Sequence, residues 1–116
     1  KQSGCIAIDI GFESGSNEML TNMRKEVTVE QYEKIYSDFS RHNILVFGQF
    51  ITNMPGETVE TLTETIAFLK RTRMLFSFGA AKPYADSALF DWAKENKFCE
   101  RQRDGSRWAP NGCCNV

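Results

Sequence analysis

The chain has 116 residues, 14 Lys+Arg against 15 Asp+Glu, and 41% hydrophobic residues. That length holds one small domain or a piece of a larger one, and the near balance of charge gives no electrostatic case for nucleic acid or an anionic membrane. No apolar run approaches the length that spans a bilayer and no signal peptide opens the chain, so a cytoplasmic setting is expected.

Cys5-Ile6-Ala7-Ile8-Asp9-Ile10 reads as a core strand that starts almost at once, without an initiator Met before it. An excised piece of a longer protein is therefore expected. Gly11-Phe12-Glu13-Ser14-Gly15-Ser16 reads as a loop, and Ser16 as the cap of a short helix through Leu20 that breaks up near Met23. Thr28 and Gln31 form a capping box, after which Val29, Tyr32, Ile35, Tyr36 and Phe39 recur at helical spacing. Asn43 suits a left-handed stop. A second strand follows from Ile44, with Val46, Phe47, Phe50 and Ile51 as its apolar, β-favouring residues.

Pro55-Gly56 is strong turn punctuation, and Thr58 offers a cap to the helix behind it. Val59, Leu62, Ile66 and Leu69 mark the expected buried face of that helix, with Lys70, Arg71 and Arg73 near its carboxyl end. Met74 to Ala81 reads as a third strand, Lys82-Pro83-Tyr84-Ala85-Asp86 as its exit loop, and Asp86 or Ser87 as the cap of a last helix carrying Leu89, Phe90, Trp92 and Ala93. Residues 1–98 form the ordered part on this reading, and residues 99–116 an irregular polar tail.

Strand and helix thus alternate three times, which means α/β: a (βα)3 parallel half-barrel, a fragment of a partial TIM barrel. Helices on one side leave the other sheet face bare, so the piece is expected to need more strands or a second copy of itself.

Few residues offer chemistry. Glu13 lies just past the first strand, where a carboxylate can accept hydrogen bonds from a ligand or simply be a solvated loop charge. The peptide groups from Asn53 to Gly56 can read the edge of a flat base, or form only a structural turn. Glu57 and Thr58 read as helix-starting residues, His42 as a surface residue, and Tyr32, Tyr36 and Phe39 as core. The cysteines Cys5, Cys99, Cys113 and Cys114 match no zinc or redox spacing. They read as a buried strand thiol plus three loop or tail thiols, with a Cys99/Cys113/Cys114 metal site as the sharper alternative. No nucleophile–base pair and no glycine-rich phosphate loop is present, so no catalytic residue and no metal ligand is assigned.

Gly4-Cys5, Gly11-Phe12-Glu13-Ser14-Gly15-Ser16, Leu20, Met23 and Lys25, then Phe50-Ile51 and Met54-Pro55-Gly56-Glu57-Thr58, together resemble the radical S-adenosylmethionine (SAM) enzymes. The likeness is nearest to the subgroup often preceded by a cobalamin-binding domain, which reads GIESGS…L..M.K, then G.FI.G.PGET, then PYPGT. It runs from residue 4 to about residue 97. It implies that these strands are the fourth, fifth and sixth of a six-stranded partial TIM barrel, the carboxyl-terminal half of the catalytic domain.

By the same resemblance Glu13 contacts the SAM ribose or amino group, with Ser14 beside it, and Lys25 lies at the SAM carboxylate. Ile51, Asn53, Met54, Pro55 and Gly56 belong to the segment that holds the adenine, and Tyr84 sits on the substrate side. Asn53 replaces the family's usual Gly and must adopt the backbone that Gly allows. The last motif is degraded to Pro83-Tyr84-Ala85-Asp86-Ser87, and the CxxxCxxC triad that holds the 4Fe–4S cluster is absent from the chain. The cluster donates the electron that cleaves SAM. The resemblance therefore implies a parent iron–sulfur oxidoreductase or methyltransferase, with cobalamin as a further cofactor of the subgroup, and an isolated chain that is inactive.

The implied partners are the amino-terminal half of the barrel, a small-molecule substrate and further copies of the chain. Two other readings stand beside this one. One is a non-catalytic ligand-binding or interaction module on the same half-barrel; the other is a flavodoxin-like fragment, which the missing phosphate-loop chemistry disfavours.

Overall fold

The computed structural model describes residues 4–84, 86–97, 99–101 and 108–110. Residues up to Ala81 form one compact unit and those from Lys82 a second.

The first unit alternates strand and helix: β1 (Ala7–Glu13), α1 (Asn17–Asn22), α2 (Val29–Arg41), β2 (Leu45–Thr52), α3 (Val59–Thr72) and β3 (Leu75–Ala80). The three strands lie in the order β1-β2-β3, all parallel. This is the α/β half-barrel expected from the alternation.

Capping chemistry sets the helix starts. Thr28 and Gln31 form a reciprocal capping box on α2, and Thr58 and Thr61 form one on α3. Asn43, with φ 54°, takes the left-handed conformation expected of a stop before β2. Ser16 does start α1, yet its side chain caps nothing; the hydroxyl is buried and makes no hydrogen bond.

The core lies on one face of the sheet, where Phe12, Val46 and Phe50 meet Leu20, Val29, Tyr32, Phe68, Leu69 and Met74. Ile8, Ile10, Ile35, Tyr36 and Phe39 pack around it, so the aromatic stripe of α2 is core as read. Phe12 stacks on Phe50 at 5.7 Å between ring centroids and meets Tyr32 edge-on at 4.7 Å, both favourable arrangements.

Local expectations change at four places. Gly11 signals a strand end, but β1 continues to Glu13 with a register shift between Gly11 and Glu13, and Phe12 is buried in the core on the same face as Ile8 and Ile10. Cys5 is exposed, not a buried strand thiol, because β1 begins only at Ala7. The buried face of α3 is Thr61, Thr65, Phe68 and Leu69, whereas Val59 and Ile66 are 75% and 47% exposed. Counting apolar residues alone places that face wrongly. The two threonines go inward because each satisfies its own hydroxyl on the carbonyl of the preceding turn, Thr61 on Thr58 at 3.0 Å and Thr65 on Thr61 at 3.1 Å.

The fourth change lies in the second unit. There α4 (Ala88–Glu95) is capped by Ser87, whose Oγ accepts from the Phe90 N–H at 3.1 Å. Beyond it β4 (Cys99–Arg101) pairs antiparallel with β5 (Trp108–Pro110), where an irregular tail is expected from composition. Each strand is three residues long, too short for a period of two to be read. Among the described residues no helix is long and apolar enough to cross a membrane.

Candidate functional site

The carboxyl ends of the parallel strands form a rim, and the open face of the sheet below it forms a cleft of about 400 Å³. Asp9, Gly11 and Glu13 come from β1, Gln49 and Ile51 from β2, and Ser77 and Gly79 from β3. Ligand sites of open α/β sheets lie at this end, and the volume is that of a small-molecule pocket.

Glu13 stands at the rim with φ 65°, a left-handed backbone that a non-glycine residue adopts only at a cost. Its Oε1 lies 3.3 Å from Lys25 Nζ, which also donates to the Gly11 carbonyl at 3.4 Å. The structure thus brings together the two charged residues picked out from sequence. An ion pair this accessible contributes only about 0–1 kcal/mol to stability, so it does not explain why a strained residue is kept there. The Glu13 charge reaches inward too: burial first, and this carboxylate second, push the Tyr32 phenol above its ordinary pKa.

Ser14 points the other way. It is buried, and its hydroxyl lies 3.2 Å from Thr65 Oγ1 while accepting the Ser16 N–H at 3.1 Å. Thr65 Oγ1 also accepts the Gly15 N–H at 3.0 Å and donates to the Thr61 carbonyl. With that proton committed to Thr61, Ser14 is the donor to Thr65, and every hydroxyl in the chain of bonds is satisfied. Gly15 permits the contact: a Cβ there would lie 2.8 Å from the Thr65 Cα and the Phe68 Cβ. Ser14, Gly15 and Thr65 therefore clamp the loop to α3 and leave Glu13 facing the cleft.

The turn after β2 is held as tightly. Asn53 has φ 62°, the left-handed conformation demanded of it at a glycine position. Its N–H donates to Glu57 Oε2 at 2.7 Å, and the Glu57 N–H donates to the Met54 carbonyl at 3.0 Å. Glu57 thus closes the turn as well as preceding the helix. Gly56, with φ 82°, lies against the Asn22 side chain, which would be 3.1 Å from an added Cβ.

Of the residues singled out, Glu13 and Ile51 line the cleft, with Lys25 paired to Glu13. Asn53, Met54, Pro55 and Gly56 form the adjoining turn after Thr52. Tyr84 belongs to the second unit, where it is exposed and its carbonyl accepts from Ser87. His42 is a surface residue whose Nδ1 donates to the Asp38 carbonyl at 2.7 Å. Sequence reading missed Asp9, Gln49, Ser77 and Gly79, which line the cleft, and Thr65, which anchors its loop. Alternation along the strands is the signal that finds the first four. Gly11, Gln49 and Ser77 share one register row.

Among the described residues no three His, Cys, Asp or Glu side chains gather where a metal could bind. The sharper reading of Cys99, Cys113 and Cys114 rests on side chains outside the described residues.

No family profile matches the chain. It is 38% identical over 68 residues to tRNA-2-methylthio-N(6)-dimethylallyladenosine synthase of Buchnera aphidicola, a match covering 57% of this chain and 16% of that protein. It is 28% identical over 96 residues to bacteriochlorophyllide d C-12(1)-methyltransferase of Chlorobaculum tepidum, covering 81% and 21%. It is 32% identical over 65 residues to anaerobic magnesium-protoporphyrin IX monomethyl ester cyclase of Rubrivivax gelatinosus, covering 56% and 12%. The chain spans about a fifth or less of the length of these curated relatives. Together with the ordered motifs and the parallel half-barrel, these matches make the chain similar, over a part of each protein, to enzymes of the radical SAM superfamily.

Proposed function

We propose that this chain supplies the adenosine-binding side of a radical SAM enzyme's catalytic barrel, in an iron–sulfur oxidoreductase or methyltransferase of the cytoplasm. The observation that carries the reading is the Glu13–Lys25 pair, held on a strained backbone beside the cleft that Ile51 lines.

The donor set fits SAM. Glu13 suits the ribose hydroxyls or the ammonium group, Lys25 suits the carboxylate, and Ile51 with the Asn53–Gly56 turn offers an apolar side chain and peptide groups to the adenine. Ser14 acts through Glu13 by anchoring its loop. The described residues do not fit a 4Fe–4S cluster: Cys5 is the one cysteine whose side chain is described, and it stands alone. What SAM supplies in this superfamily is chemistry triggered by one-electron reduction. The part of this chain is to bind SAM, orient it and fix its charged end.

The test is reductive SAM cleavage by the longer polypeptide whose reading frame contains this chain, purified anaerobically. Reconstituted with iron and sulfide it is expected to release 5′-deoxyadenosine, and Glu13→Gln to lower that rate at sub-saturating SAM. The isolated chain is expected to release none. Cleavage by the isolated chain, or a Glu13→Gln variant with unchanged SAM affinity, would contradict the proposal.

The same bare face supports self-association of the isolated chain, and a monodisperse monomer in light scattering would refute that. A non-catalytic binding module uses the same cleft, and a reading frame that begins close to Lys1, with no cysteine triad before it, would favour it.

A further inference from the structure

Glu13 sits at the centre of a very tight turn. Its φ is 65°, and the Ser14 N–H donates to the Phe12 carbonyl at 2.8 Å, so the bond spans a single residue. A three-residue turn with positive φ at its centre is the rare, strained form of the γ-turn. Such a conformation persists only where the surroundings over-determine it. The Glu13 carboxylate folds back over Gly11, where an added Cβ would lie 3.0 Å from Oε1, and pairs with Lys25. That ion pair is partly exposed and too weak to hold the backbone.

What holds it lies on the buried side. The three N–H groups that follow Glu13 are all bonded: that of Ser14 to the Phe12 carbonyl, that of Gly15 to Thr65 Oγ1 at 3.0 Å, and that of Ser16 to Ser14 Oγ at 3.1 Å. Ser14 Oγ in turn lies 3.2 Å from Thr65 Oγ1. Both hydrogen bonds that join this loop to α3 among the described residues therefore end on one atom, and Thr65 is 4% exposed. The helix that carries this atom starts from the Thr58 cap, just past the Asn53–Gly56 turn, and Thr65 lies about 10 Å along it. One helix thus follows the turn and anchors the Glu13 loop.

We infer that Thr65 is a positioning residue, whose hydroxyl holds Glu13 in its left-handed turn and so sets the affinity of the rim for SAM. It acts from α3 and is not among the described residues that line the cleft. The part that concerns SAM rests on the function proposed above. Thr65→Val keeps the buried shape but strands two donors, the Gly15 N–H and the Ser14 hydroxyl, away from water. The strained turn then relaxes toward negative φ, and the Glu13 carboxylate leaves its place beside Lys25.

The experiment uses the ¹⁵N-labelled 116-residue chain. Without ligand, the three-bond coupling between the amide and α protons of Glu13 reads its φ. Wild type and Thr65→Ser are expected to share that coupling and a slowly exchanging Gly15 amide. Thr65→Val should change the coupling and speed the exchange. SAM affinity, titrated by amide shifts, should fall about ten-fold in Thr65→Val and recover in Thr65→Ser. Glu13→Gln should cost affinity in the wild type and nothing further beside Thr65→Val, a pattern that general loss of stability does not produce. If Thr65→Val gives no dispersed spectrum, Ser14→Ala removes one of the two bonds from the loop side and is read by the same criteria. A Glu13 coupling that these substitutions leave unchanged, or a SAM affinity that they leave intact, would overturn the inference. If the coupling changes and SAM does not bind even the wild type, the positioning of Glu13 stands and the adenosine reading alone falls.

Discussion

The two faces of the β1-β2-β3 sheet come from alternate residues of the same strands, yet they are built for different ends. On the helix side Phe12, Val46 and Phe50 are buried beneath α1, α2 and α3 residues. On the other side Gly79 has open space above its backbone, Gln49 and Ser77 are exposed, and Glu13 stands strained and charged at the rim with its carboxylate over Gly11. One face stabilises the unit by burying apolar area. The other contributes little to stability and holds the groups able to recognise a ligand. A substitution should therefore act on folding or on binding according to which face it lies on.

The largest effect is expected in the core. Phe12 is fully buried among Tyr32, Phe50 and Phe68, so Phe12→Ala should destabilise the chain by about 3–5 kcal/mol. Urea unfolding measures it, and a loss near zero would deny that this face is the core. Gly15→Ala comes next. Its Cβ meets the backbone of α3 at 2.8 Å, and overpacking of that kind costs about 1–3 kcal/mol. Asn53→Ala should cost about 1 kcal/mol through its left-handed backbone, and Asn53→Gly close to nothing. A reversed order would mean that the Asn side chain, not its conformation, is what the turn uses.

On the open face Gly79→Leu should leave the unfolding midpoint nearly unchanged while filling the cleft and abolishing ligand binding. Losing both together would erase the distinction between the faces.

The smallest effect is with pH. Glu30 lies below its ordinary pKa through its own backbone N–H, then the Thr28 hydroxyl and the Asn17 amide. Glu60 lies low through its own N–H and then Thr58. A lowered carboxylate pKa means stability present above the ordinary value of 4.5 and lost as pH falls through the folded value. Thermal melts of a Glu30→Gln, Glu60→Gln double variant should therefore fall less steeply below about pH 4.5 than those of the wild type.

Much of this was legible in the residues. The alternation of strand and helix gave the half-barrel, the threonine caps set the starts of α2 and α3, and the replacement of a motif glycine by Asn53 demanded the backbone that it adopts. What was not legible follows from pairing between distant segments. Phe12 sits in a loop-like composition, and only the continuation of β1 to Glu13 alongside β2 makes it core. The inward face of α3 depends on where Gly15 touches Thr65, which no helical period contains. Gln49 and Ser77 look like ordinary polar strand residues until parallel pairing puts them side by side. The β4-β5 ladder is too short to leave a pattern.

The most direct test of the account maps SAM onto the labelled chain by amide chemical shifts. Shifts are expected at Glu13, Ile51, Asn53 to Gly56 and Gly79, lost in Glu13→Gln, with Leu20, Tyr32 and Phe68 unmoved. Shifts centred on the helix-covered face, or a well-dispersed spectrum that SAM leaves unchanged, would contradict it.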